Sequence, residues 1–343
     1  MNRILKDALL SRASPYYSVL PYNLNWMNKL ADGLLSCLKG APITLVDVGC
    51  RGGLPCELYP LKSHINYIGF DADEEECRLL NLEPHDLHAR TLYPNFIDEI
   101  KGRRDFFIYQ SPGESSAFHP DERYKNLFRG DSFGEVKTIS VETISLDEFI
   151  KQHALPSPDV IKLDTQGTEL SILKGAGKCL ELASLVEVEV EFVPLYKGQP
   201  LFPEIMNLMA DHGFECIFLN RVFQQRKAYK GLAKGQLIFA DAVFAKREDR
   251  MAGFDVSRLI KAIVLLINYG HIDIAFDVFR ANKWPEDVQS LLEPLFVCQD
   301  RGKRCLRLKA GVTVMLDKLI LLLLYLRKHN GLPCDSDRSW PVR

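Results

Sequence analysis

The sequence has no Cys-x-x-Cys pair, no apolar run long enough to cross a membrane and no excess of either charge. Each absence excludes something. The cysteines (Cys37, Cys50, Cys56, Cys77, Cys179, Cys216, Cys298, Cys305 and Cys334) number nine. An odd set without paired spacing gives neither a disulfide framework nor a structural zinc site, and the expectation is reduced thiols in a cytoplasmic protein. The longest apolar run, Leu319 to Leu326, is bounded by Lys318 and Arg327. That is far short of the roughly 18 residues a spanning helix needs. The opening stretch MNRILKDALLSRASPYY is too charged, and its apolar part too short, for a signal-peptide core. With 43 Lys and Arg against 45 Asp and Glu, there is no basic surplus of the kind nucleic-acid binding usually shows. A hydrophobic content of 47% rules out intrinsic disorder, and 22 glycines with 18 prolines rule out a low-complexity chain.

What is present is a globular chain of 343 residues, enough for about two domains, or for one of about 200 residues with appendages. Up to about Gly40 the pattern is helical, with Leu30, Leu34, Leu35 and Leu38 on one face before Gly40 and Pro42 stop it. The period then changes. Short β-branched runs at Ile43 to Val48 and Tyr67 to Phe70 read as buried parallel strands, and Asp73 to Leu82 reads as a helix with an acidic first turn. Further strands are expected at Phe106 to Tyr109, Val136 to Val141, Val160 to Leu163 and Leu185 to Phe192. Helices are expected at Ser145 to His153, Glu169 to Leu180 and Phe202 to His212. This rhythm predicts an α/β fold with a doubly wound sheet. Glu215 to Leu219 and Gln236 to Ala245 are joined by a Lys- and Arg-rich stretch without a crossover helix, which predicts an antiparallel final pair. From about Arg247 the pattern is helical again. The expected division is therefore a helical arm at 1–40, an α/β domain at 41–247 and a helical appendage at 248–343. The appendage carries the basic cluster Arg301, Lys303, Arg304, Arg307 and Lys309, read as a solvated face, and it is where a second copy or another partner would dock.

The run Asp47-Val48-Gly49-Cys50-Arg51-Gly52-Gly53 directly follows the first strand. Glycines there allow a sharp turn and close approach of the backbone to a ligand at the carboxyl end of the sheet. Asp71, at the end of the second strand, has the chemistry to accept both hydroxyl protons of a ribose. Two cofactors suit such a pattern, a dinucleotide and S-adenosylmethionine. The spacing G-x-x-G-G is not the dinucleotide fingerprint G-x-G-x-x-G. Asp47 suits an ammonium group, and an antiparallel closing pair is foreign to the dinucleotide folds. S-adenosylmethionine is the expected cofactor.

DVGCRGGLP, YIGFDADEEECRLLN, SPGESSAF, VETISLDEFI, IKLDTQGTELSILKGA and EVEFVPLYKGQPLF stand in this order between Ile43 and Lys246. Together they resemble the FkbM-type S-adenosylmethionine-dependent methyltransferases. The resemblance implies a class I methyltransferase fold, Rossmann-like, and O-methylation of a hydroxyl on a sugar, a glycan or another secondary metabolite. It also implies that Asp47, Gly49, Arg51 and Gly53 hold the methionine part of the cofactor and that Asp71 binds its ribose. The segment Leu92-Tyr93-Pro94-Asn95 would lie against the adenine.

Methyl transfer to oxygen needs alignment and an acceptor for the hydroxyl proton. Asp164, closing the strand VIKL, is the leading candidate base; the alternatives are a cap on the helix near Glu169 and a contact to the cofactor's ammonium group. Gln166 is placed to orient the acceptor hydroxyl, and Glu169 suits a first-turn helix acid as well as a catalytic one. Glu187, Glu189 and Glu191 alternate with valines, which puts them on one face of a strand. Buried acids are costly unless paired, solvated or ligating, so Glu189 and Glu191 are substrate or metal candidates, with ion pairs to Lys162 or Lys174 as the alternative. Tyr196 and Gln199 are candidate sugar contacts. Ser115, Ser116 and His119 lie in an expected lid loop, with His119 as a second candidate base. No metal site is assigned, although Asp164 with Glu189 or Glu191 has the chemistry of a hard-oxygen divalent site. Two other functions fit less of the sequence: an NAD(P)-dependent oxidoreductase, and a non-catalytic scaffold on a vestigial methyltransferase fold whose helical tail binds a partner.

Overall fold

The computed structural model describes residues 32–38, 40–128, 133–231, 233 and 235–297. Most of the expected arm, the basic cluster from Arg301 to Lys309 and the apolar run from Leu319 to Leu326 lie outside the described residues.

The apolar runs do become strands. β1 (Ile43–Val48), β2 (Ile65–Phe70), β3 (Ala89–Tyr93), β7 (Val160–Leu163), β8 (Leu185–Glu191), β9 (Phe214–Gln224) and β10 (Gln236–Lys246) form one seven-stranded sheet in the order β3-β2-β1-β7-β8-β10-β9. The pairs β1–β2, β2–β3, β1–β7 and β7–β8 are parallel. β10 runs antiparallel to both β8 and β9, as the missing crossover helix predicted. A separate three-stranded sheet, absent from the expected organisation, is built by β4 (Phe96–Asp98), β6 (Glu135–Ser145) and β5 (Gly102–Tyr109) in that spatial order.

One face of the large sheet presents Val46, Ile161, Leu163, Val186, Val188 and Phe244 to helices that follow the strands. These are α3 (Leu146–Gln152), α4 (Glu169–Lys174), α5 (Gly177–Leu182) and α6 (Phe202–Asp211). α1 (Glu74–Leu82) and α2 (Glu122–Leu127) complete the domain, with Asp73 capping α1 through the amides of Glu75 and Glu76. The single helix expected over 169–180 is broken between α4 and α5. A β-carbon on Gly175 would lie 2.6 Å from the Asp98 carbonyl oxygen, so glycine there lets the backbone approach β4.

The opposite face is covered by residues expected to form an appendage. α7 (Val256–Asn268) buries Leu259, Ile260, Ile263, Leu266 and Ile267 against Leu45, Ile65, Val160, Leu185 and Val243. α8 (Ile272–Ala281) and α9 (Glu286–Val297) continue this layer with Val278 and Leu292. Each such side chain stabilises the fold by roughly 1.5–3 kcal/mol. The helices after residue 247 therefore share a core with the sheet rather than building their own. Asp159 pins α7 at the amino end of β7: its Oδ2 accepts from the Thr44 amide at 2.8 Å and from Lys261 Nζ at 2.9 Å, and Arg258 lies 3.5 Å from Oδ1. Among the described residues no helix is long and apolar enough to cross a membrane, and Cys37, Cys50, Cys77, Cys179 and Cys216 are free thiols.

Candidate active site

A cleft of about 630 Å³ opens at the carboxyl ends of β1, β2 and β7. On one side stands the glycine loop. The amides of Gly49 and Cys50 donate to the Phe70 carbonyl at 2.8 and 3.1 Å, which folds the loop over the end of β2. Gly49, Arg51, Asp71, Ala72, Asp73, Glu74 and Glu75 line the cleft here. Asp71 accepts from the Asp73 amide at 2.8 Å. Burial pushes its carboxyl up, against the pull of that amide and of Arg51. Arg51, which the resemblance assigns to the methionine part, is turned to the first turn of α1, where it pairs with Asp73 at 2.8 Å and lies 3.7 Å from Glu76.

The second side is the three-stranded sheet. Phe96 and Ile97 of β4, Phe106 and Ile108 of β5, and Ile139 of β6 give an apolar wall, with Asn95 below it and the Pro112, Gly113 and Ser115 turn at its rim. The third side is the loop after β7, with Asp164, Thr165, Gln166 and Thr168. Glu169 holds this loop from behind. Its Oε1 accepts from the Thr165 amide and hydroxyl at 2.7 and 2.9 Å, and its Oε2 from the Gly167 amide at 2.9 Å. That makes Glu169 a clamp on the loop.

Asp164 caps no helix: the N-cap of α4 is Thr168, and the Asp164 carboxylate instead meets Gln166 Nε2 at 3.3 Å and Lys162 Nζ at 3.6 Å. Gln166 links the cleft to the interior. Its Nε2 also donates to Glu189 Oε1 at 3.0 Å, its Oε1 lies 3.0 Å from the Tyr196 hydroxyl, and its carbonyl accepts from Ser116 Oγ at 2.6 Å.

Beneath the cleft the sheet face turns acidic. Asp47, Glu187, Glu189 and Glu191 are all buried. Asp47 accepts from the Tyr67 hydroxyl at 2.8 Å and lies 3.8 Å from Lys162 Nζ, while its Oδ1 has no hydrogen-bond partner. Burial pushes its carboxyl up to about 6, with Lys162 opposing. Burial likewise drives Glu189 well up, with Asp164 and Glu191 adding to the effect, and Glu191 well up beside Glu169 and Asp164.

Several expected residues stand elsewhere. The Tyr93 ring stacks on Phe70 at 5.7 Å and meets Phe149 edge-on at 5.0 Å. It belongs to the helix-covered face, and of the segment 92–95 only Asn95 lines the cleft. His119 is exposed, with its ring 4.0 Å from that of Phe107 and outside the cleft lining. Gln199 accepts from the amides of Leu195 and Tyr196 and so closes its own loop. Glu189, Glu191 and Asp47 lie below the cleft rather than on its surface, and Gly53 only shapes the turn, with a φ of +80° and open space around it. Asp164, Glu189 and Glu191 do not converge as ligands, because the Gln166 amide lies between the first two. Among the described residues no group of three or more His, Cys, Asp or Glu side chains is arranged to hold a metal ion.

The sequence reading missed the apolar wall. Phe106 and Ile108 alternate on one strand face, and that period-two pattern was the available signal.

Residues 57–216 match the family model described as the methyltransferase FkbM domain. The 2-O-methyltransferase NoeI of Sinorhizobium fredii is 24% identical over 188 residues, covering 53% of this chain and 76% of that protein. The hexuronic acid methyltransferase AglP of Haloferax volcanii is 32% identical over 84 residues, or 22% of this chain and 35% of that one. Among solved structures, the methyltransferase FkbM from Methylobacillus flagellatus KT is 14% identical over 71% of this chain and 58% of its own, with a TM-score of 0.34.

Proposed function

We propose that this chain, a methyltransferase of the FkbM family over residues 57–216, transfers the methyl group of S-adenosylmethionine to a hydroxyl of a sugar, a glycan or another metabolite. The observation that carries the reading is one cleft at the carboxyl ends of β1, β2 and β7, lined together by Gly49, Asp71 and Asp164. The names of the two curated relatives support oxygen as the atom methylated and a sugar as the acceptor.

The residues present fit that cofactor. A cleft of about 630 Å³ lies within the size range of cofactor sites. Asp71 at the end of β2 gives the cleft an acceptor suited to ribose hydroxyls. The loop at Gly49 and Arg51 is assigned to the methionine part. For the adenine, Asn95, Phe96 and Ile97 replace Tyr93 as the assigned neighbours. When bound, S-adenosylmethionine supplies an activated methyl group whose loss leaves a neutral thioether.

The chain's own work is to align the acceptor and take its proton. Asp164 is the carboxylate on the β7 side of the cleft, and it accepts the hydroxyl proton as the new carbon–oxygen bond forms. Lys162, 3.6 Å from Asp164, keeps that carboxylate company on the buried side. The part of the apolar wall from β5 and β6 excludes water and offers Phe106 to the less polar face of a sugar ring. The reversed strand β10 weighs against the oxidoreductase alternative, whose folds continue with parallel strands.

Titration calorimetry with S-adenosylmethionine tests the cofactor half of this reading. The intact chain is expected to bind, and Asp71→Ala to lose roughly 10- to 100-fold in affinity while keeping its fold. Failure of the intact chain to bind overturns the proposal. Incubation with methyl-labelled cofactor and candidate sugars, followed by mass spectrometry, tests the acceptor half, and label recovered only on nitrogen or carbon would refute it.

A further inference from the structure

The Gln166 backbone occupies the left-handed region, with a φ of +58°, a conformation that is strained for a non-glycine residue and persists only when its surroundings impose it. Here they do. Ser116 holds the Gln166 carbonyl, and the side-chain amide is held at both ends, by the Tyr196 hydroxyl at Oε1 and by Asp164 and Glu189 at Nε2.

An amide can face either way, and its partners decide. Turned over, the Gln166 amide would set its oxygen against the Asp164 carboxylate, so Asp164 decides which end faces it. The Tyr196 hydroxyl, able to donate or accept, holds the other end of the amide at Oε1. Tyr196 is itself wholly buried and fixed. Its amide donates to Gln199, its ring meets Phe133 edge-on at 5.8 Å, and it forms an antiparallel bridge with Pro120. The hydroxyl also lies 2.8 Å from the Glu114 carbonyl, beside the Pro112 and Gly113 turn at the rim of the cleft. One hydroxyl hydrogen thus stands between two acceptors, one on the catalytic loop and one on the wall across from it.

We infer that Tyr196 is a positioning residue for methyl transfer: it anchors the Gln166 side chain, whose amide delivers its N–H groups to Asp164 and Glu189, and it ties that anchor to the turn at Glu114. Tyr196 touches neither cofactor nor acceptor and acts through Gln166. The inference rests on the reading of Asp164 as the proton acceptor.

Tyr196→Phe in the full chain is the direct test, because it removes the hydroxyl and keeps the ring. Expected are unchanged calorimetric affinity for S-adenosylmethionine, an unchanged KM for it, and a kcat lowered by roughly 10-fold or more. The nuclear magnetic resonance signals of the Gln166 side-chain amide, identified by their disappearance in Gln166→Met, should shift and exchange faster in Tyr196→Phe. Gln166→Met should lose about as much turnover, and the double variant no more than either alone, because the two residues act as one unit. Full kcat in either single variant, additive losses, or unmoved amide signals in Tyr196→Phe each overturn the inference. Asp164→Asn separates this from the underlying reading. Full turnover there defeats both, whereas an inactive Asp164→Asn beside a fully active Tyr196→Phe defeats the positioning role alone.

Discussion

A β-carbon on Gly49 would lie 1.9 Å from the carbonyl oxygen of Asp164. The loop after β1 and the loop after β7 are therefore in backbone contact, and the residue assigned to the cofactor and the residue assigned to the acceptor's proton share one fixed spacing. The same glycine has a φ of +83°, so it meets a steric and a conformational demand at once.

Gly49→Ala should accordingly be severe. Strain at the positive φ together with displacement of the Asp164 backbone is expected to destabilise the chain by about 2–4 kcal/mol, and cofactor binding should be lost even in the folded fraction. Thermal unfolding paired with calorimetry checks both, and a variant that binds normally would show that the two loops are free to separate.

Asp164→Asn keeps the size of the side chain and removes its capacity to accept a proton. Turnover is expected to fall by roughly 100-fold or more with cofactor affinity retained. Single-turnover transfer of a labelled methyl group measures the first quantity and calorimetry the second.

Asp159 offers a test far from the cleft. It is buried, and it joins the Thr44 amide to Lys261 and Arg258 of α7. Replacing it with Ala leaves a half-buried lysine without its acid and frees α7 from the sheet, at a cost of roughly 3 kcal/mol. Urea unfolding should show this loss, and loss of turnover should follow the unfolded fraction and nothing more.

Glu187 sets a pH dependence of stability. Burial, with Glu57 and Asp241 adding to it, pushes its carboxyl up to about 8, against Lys162 and the Tyr269 hydroxyl that donates to it at 2.8 Å. The native chain thus keeps this proton at pH values where the unfolded chain has released it. The stabilisation is fully present below about 4.5 and is lost as the pH rises through 8. Between pH 5 and pH 8.5 the intact chain should lose roughly 2–4 kcal/mol more than Glu187→Gln does, as read from urea midpoints at each pH. Parallel curves for the two proteins would refute the shift.

Much of this arrangement was legible before any coordinates. The lack of a crossover helix between Glu215 and Gln236 identified the antiparallel pair, because only such a pair closes over a non-helical connection. Gly49, Arg51, Asp71, Asp164 and Gln166 were picked from three separate stretches of chain, and all line one cleft. What stayed hidden has physical causes. β3 is a short edge strand in which only Leu92 is fully buried, so nothing in its pattern said that Tyr93 faces Phe149 rather than a ligand. The pairing of β4 with β6 joins Phe96 to Thr143, and such non-local partners leave no trace in either local sequence. α7 is apolar on most of its surface, which suits a helix in its own bundle as well as one pressed on a sheet.

β10 inserts between β8 and β9, so the sheet cannot be completed before its last strand has been made. While the chain is being made, β8 and β9 exist before the strand that joins them, and β8 presents an unpaired edge until Gln236–Lys246 has emerged. Open edges invite pairing with neighbouring chains. Glu187 and Glu189 of β8 end up opposite Val243 and Asp241 of that last strand.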